Sequence, residues 1–196
     1  MVSTAAQLLG ATAAIEALLP ECDVSFDREV RIAAPAPVAF EAMCGADIER
    51  SAIVRGLFRI RQFLLGGRHA RYELPHGLLE QLDSLGWRCV AEEPGRYFVF
   101  AAVTQPWKAT PVFRGLCAQE FARFAEPGYA KIAFTLEIRP LAPGRCIART
   151  ETRVATTDPV SRIRFRWYWS LLSPGIELIR AVLLAQIKAE SEQRLA

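Results

Sequence analysis

Three short tripeptides constrain this chain more than any other feature: Glu93-Pro94-Gly95, Glu126-Pro127-Gly128 and Ala142-Pro143-Gly144, each between runs that read as strands. Proline presets φ at the first central position of a tight turn, and glycine accepts the positive φ of the second. The spacing predicts strands at about 87–92, 96–103, 118–125, 129–139 and 145–156, an antiparallel meander. An earlier strand is expected at Val24–Ala33, where Val24, Phe26, Arg28, Val30 and Ile32 alternate with period two. After the last strand, Asp158 and Pro159 provide an N-cap and first turn for a long aromatic-rich helix, with an interruption or kink expected at Ser173-Pro174-Gly175.

Helices are also expected at 4–19, ended by Pro20, at Pro37 to about Cys44, at Ile48–Leu65 and at Leu78–Leu85. In the third of these, Ile53, Leu57, Ile60 and Leu64 form an apolar stripe, and Arg55, Arg59 and Gln62 a solvated one. The segment Thr104–Cys117, carrying Gln105-Pro106-Trp107 and Thr110-Pro111, is long enough to act as the rim of a cavity.

At 196 residues the chain suits one core of ordinary composition, with 52% hydrophobic and 23% charged residues. A net charge of +3, interleaved along the chain, argues against a nucleic-acid partner. Lysine occurs only at 108, 131 and 188; with the high alanine content, this arginine bias suggests a GC-rich bacterial genome. Cysteines 22, 44, 89, 117 and 146 are odd in number and form no C-x-x-C pair, so they read as reduced thiols in a cytoplasmic protein. The run Ala5–Leu19 lacks the basic start and cleavage site of a secretory signal, and Ile176–Ile187 is interrupted by Glu177 and Arg180, so no integral membrane segment is expected.

The element order from Val24 to Gln193 resembles the polyketide cyclase/START-like (SRPBCC, helix-grip) superfamily. Local resemblance to an uncharacterised bacterial subgroup lies in Ala91-Glu92-Glu93-Pro94-Gly95, in Phe121-x-x-Phe124-x-x-Pro127-Gly128-x-x-Lys131, and in Pro143-Gly144-Arg145 with Thr150-Glu151-Thr152-Arg153. The resemblance implies an α+β fold in which a curved antiparallel sheet of six to seven strands wraps a long C-terminal helix, with a cavity between them. It covers 23–196 as a START-like ligand-binding domain and leaves 1–22 as an N-terminal helical extension. It implies a hydrophobic small-molecule ligand (lipid, isoprenoid or polyketide-like) that is bound or transported, and carries no universal catalytic motif. The alternative within the same superfamily is a polyketide cyclase/aromatase or dehydratase-type enzyme, with Tyr97 or Thr150 moving protons.

Alternation supplies the candidate lining. Ala130, Ile132, Phe134, Leu136 and Ile138 are expected inward, as are Cys146, Ala148, Thr150, Thr152 and Val154, with Lys131, Thr135, Glu137 and Arg139 outward. On the C-terminal helix Phe165, Trp169 and Leu172 share a face, and Trp167 points away from the sheet. Tyr97, Phe134, Leu136, Thr150, Thr152, Phe165, Trp169 and Leu172 are thus the expected ligand-binding set, and Glu151 is read as solvated sheet surface. A packed core is the competing reading of the threonines and the aromatic face. His69-x-x-x-Glu73-x-x-His76 has superficial metal spacing, but Pro75 breaks the helix it needs, so neither metal nor cofactor is expected. No G-x-S-x-G elbow or Cys–His pairing suggests nucleophilic catalysis. The N-terminal helix and the Trp167 face leave a homodimer possible.

Overall fold

The computed structural model describes residues 10–47, 51, 53, 55–57, 59 and 77–195. In chain order its elements are α1 (Ala11–Leu18), β1 (Val24–Ile32), α2 (Ala36–Gly45), α3 (Leu78–Ser84), β2 (Arg88–Glu93), β3 (Tyr97–Thr104), α4 (Ala118–Arg123), β4 (Ala130–Ala142), β5 (Arg145–Thr156) and α5 (Pro159–Gln193). The strands form one curved antiparallel sheet in the order β1-β5-β4-β3-β2. Against the expected six to seven strands, the described residues form five.

The missing strand is 118–125, which forms α4 instead. Cys117 and Glu120 make a reciprocal capping box at its start, and the Glu120 carboxylate accepts from the Cys117 N–H at 3.1 Å. With Phe121 fully buried at its centre, one and a half helical turns satisfy the segment better than an unpaired edge. The turn glycines behave as expected: Gly95, Gly128 and Gly144 take φ of 81°, 95° and 75°. Gly128 links α4 to β4, whereas the other two close hairpins.

Register assigns the two sheet faces. Phe134 lies opposite both Phe100 and Thr152, so Phe98, Phe100, Phe134, Leu136 and Thr152 share the face toward α5. Tyr97 lies opposite Glu137, which in turn lies opposite Arg149, on the face toward α1. That second face is not solvated. Ala11, Ile15 and Leu19 pack with Tyr97, Val99, Val103 and Phe121 into a core of its own.

Beneath α1 sits a charged cluster. Glu151, expected at the surface, has a side chain only 6% exposed; its Oε1 lies 3.3 Å from Arg153 Nε and its Oε2 3.1 Å from Arg149 Nη2. Arg149 also donates to Thr12 Oγ1 at 2.6 Å, and Arg153 to Leu19 O at 3.0 Å and Glu16 Oε1 at 3.1 Å. The sheet thus holds α1 through polar as well as apolar contacts.

α5 is assigned as one helix of 35 residues through Pro174, not two. Both halves bury side chains, the first Phe165 and the second Leu183, Leu184 and Ile187. By length and composition α5 could also cross a bilayer. Here one side of it faces the sheet. The opposite side leaves Val160, Ile163, Trp167 and Leu178 exposed, with Trp167 at 77%. Most of the expected helix 48–65, with the His69–His76 motif, lies outside the described residues; within it Ile53, Arg55, Gly56, Leu57 and Arg59 are helical, and Ile53 is exposed.

Candidate functional site: a cavity between sheet and helix

Between the α5-facing side of the sheet and α5 itself lies a cavity of about 480 Å³. Its floor is Ile132, Phe134 and Leu136 of β4 with Thr150, Thr152 and Val154 of β5. Its roof is a stripe of α5 spaced three and four residues apart, from Phe165 through Trp169, Leu172, Ile176 and Ile179 to Leu183. Phe26 of β1 closes one side, its ring centroid 5.1 Å from that of Trp169.

The opposite side is built by the segment between β3 and α4, which supplies Pro106, Pro111 and Phe113, as expected for a rim. Gly86 permits its approach. At φ 88° a Cβ on Gly86 would stand 2.3 Å from the Phe113 carbonyl oxygen, so only glycine fits there. Trp87, the next residue, then bridges rim and floor, with ring centroids 5.0 Å from Phe113 and 4.9 Å from Phe134.

Of the eight expected ligand-binding residues, Phe134, Leu136, Thr150, Thr152, Phe165, Trp169 and Leu172 converge on this cavity. Tyr97 does not. It is 2% exposed in the second core under α1, and burial, with Glu93 nearby, raises its phenol above the usual range. All eight residues of β3 are buried, so alternation along that strand carried no signal as to which face meets the cavity.

Sequence reasoning noticed Arg180 only as an interruption of an apolar run, yet it is the one charged side chain among the described lining residues. Its Nη1 donates to Thr150 Oγ1 at 2.8 Å and its Nη2 to Thr152 Oγ1. The guanidinium carbon sits 4.6 Å over the Phe26 ring and 5.9 Å from that of Phe134. Nε is buried and, among the described residues, has no hydrogen-bond partner. Burial pushes the group down to about 9, which leaves it protonated at neutral pH. The readable signal was a lone arginine on the same helical stripe as Ile176 and Leu183.

The other polar anchor lies at the start of α5. Asp158 accepts from the N–H groups of Val160 and Ser161, each at 2.9 Å, from the Ser161 hydroxyl at 2.5 Å and from the Gly128 N–H at 2.7 Å. These bonds hold its carboxyl well below the usual carboxylate range and tie the roof helix to the turn before β4.

A curved antiparallel sheet packed on one long helix, with a cavity between them, is the α+β architecture expected from the sequence. No family model matches the chain, and no curated protein matches it. Among solved structures it is similar to norcoclaurine synthase from Thalictrum flavum, at 12% identity over 88% of this chain and 93% of that one, with a TM-score of 0.41. A conserved protein from Geobacillus kaustophilus shares 10% identity over 87% and 96%, with a TM-score of 0.41. The Zhui aromatase/cyclase from Streptomyces sp. R1128 shares 14% over 88% and 96%, with a TM-score of 0.34. Likeness at this level assigns no activity, and the fold statement rests on the sheet, helix and cavity themselves.

Proposed function

We propose that this chain binds or carries a hydrophobic small molecule, of lipid, isoprenoid or polyketide-like character, in the cavity between its sheet and α5. The observation that carries the reading is the cavity: about 480 Å³, within the usual range for small-molecule sites, with aromatic and aliphatic walls and a few convergent polar groups. Burial of roughly 300 Å² of ligand apolar area at about 25 cal/mol per Å² supplies on the order of 7 kcal/mol before ordering costs.

Binding is favoured over cyclase or dehydratase chemistry because such chemistry needs a group that gives and takes a proton near neutrality. Among the described lining residues there is no carboxylate or histidine, and Arg180 stays protonated. The test is native mass spectrometry of the freshly purified protein, with organic extraction of any excess mass. Wild type is expected to carry a discrete ligand that Phe134→Ala and Trp169→Ala lose while keeping the circular dichroism of a folded chain. Equal retention in the folded variants refutes the assignment of the cavity.

A further inference from the structure

An apolar cavity gains nothing from a buried cation unless the cation meets something. Arg180 is placed where a leucine would continue the α5 stripe, and it lacks the partner that normally accompanies a buried charge. Among the described residues no carboxylate pairs with it. Glu151, the acid between the two threonines on β5, points to the other sheet face and is held there by Arg149 and Arg153. Thr150 and Thr152 orient the guanidinium as acceptors, and the Phe26 ring offers a cation–π contact, but none of these carries negative charge.

The inventory of donors is specific. A guanidinium has five N–H groups. Two are used by the threonines, and the remaining three include the buried Nε–H, which meets no acceptor among the described residues. The two terminal N–H groups left over, one on each Nη, can donate to carboxylate oxygens presented from the cavity. The remaining surface of Arg180 opens onto the cavity.

We propose that Arg180, aimed by Thr150 and Thr152, is an anion anchor, and that the ligand class is an amphiphile with one carboxylate on an aromatic or aliphatic body. The inference rests on the cavity being a binding site, and it adds the charge and the orientation of what enters. The carboxylate lies against β5 beneath the second half of α5, and the apolar body extends past Phe134 toward Trp169.

The probes are pyrenebutyric acid and its methyl ester, which share one polycyclic body and differ in the charge, followed by pyrene fluorescence at neutral pH. Wild type is expected to bind the acid at least tenfold more tightly than the ester. Arg180→Met is expected to bind the ester at least as well as wild type and to lose the preference for the acid, and Arg180→Lys to keep part of it. Because the methionine removes a buried charge, its ligand-free melting temperature is expected to equal or exceed that of wild type, a result that a purely structural arginine would not give. Equal binding of acid and ester by wild type overturns the anchor and leaves the cavity reading intact. Survival of the preference in Arg180→Met overturns it too. Binding of neither probe by wild type overturns both readings together. Should Arg180→Met fail to fold, the wild-type comparison of acid with ester decides alone.

Discussion

Replacing Glu151 by glutamine keeps the shape of the side chain and removes its charge from beneath α1. Its two arginine contacts, at 3.1 and 3.3 Å, are each worth roughly 5 kcal/mol at an effective dielectric of about 20, most of which offsets the desolvation of three charges. Loss of one member of a buried pair usually costs about 3–5 kcal/mol, because the partners remain buried and uncompensated. Here the arginine side chains are 14% exposed and keep other partners, Asp27 and Thr12 for Arg149, Glu16 and the Leu19 carbonyl for Arg153. The expected loss is therefore about 2–3 kcal/mol, or ~4–12 °C in melting temperature for a chain of this size. Urea denaturation measures the loss, and hydrogen exchange across Ala11–Leu18 locates it, since both arginines reach residues in or next to α1. A loss below about 1 kcal/mol, the value of solvent-exposed pairs, refutes the claim that this cluster is buried and holds the helix.

At Asp158 the folded-state pKa lies below the unfolded value, so its stabilising contribution is fully present above the unfolded value of about 3.9 and is lost as pH falls through the folded one. Asp158→Asn is expected to be less stable than wild type at pH 7, with the gap closing as denaturation is repeated down to pH 2; a gap independent of pH contradicts the capping role. Cys146 is buried on the cavity side of β5, and burial pushes its thiol up, so it is expected to resist a thiol reagent at pH 8 until the protein is unfolded, while exposed Cys117 reacts in the native state; peptide mapping of the labelled chain distinguishes them.

The parts of this structure that announce themselves locally were legible. Turns at Gly95 and Gly144 follow from proline and glycine chemistry over three residues, and β4 and β5 show the period of a sheet with one cavity face. The errors fall where a distant element decides. Phe121 and Phe124 fit either a strand or a helical turn, and the capping box at Cys117 with the buried place for Phe121 selects the helix. Glu151 alternates outward like a surface residue, and only the arrival of α1 from more than a hundred residues upstream buries it. Tyr97 begins a strand buried on both faces, where side-chain character does not differ between them. Arg180 was visible as a charge in an apolar stripe, but its meaning depended on two threonines of β5 standing opposite.

The strand order also sets a schedule. Among the described residues β1 lies at the sheet edge and pairs only with β5, with Val24 opposite Val154, a separation of about 130 residues. At 5–20 residues per second, synthesis leaves β1 without that partner for ~6–26 s. Until then Phe26, Val30 and Ile32 have neither a ladder nor a roof, and closure of so long a loop precedes any gain from the contacts it brings. The β1–β5 ladder thus waits on the synthesis of β5, and over that interval the apolar residues of the first strand are open to aggregation or chaperone capture.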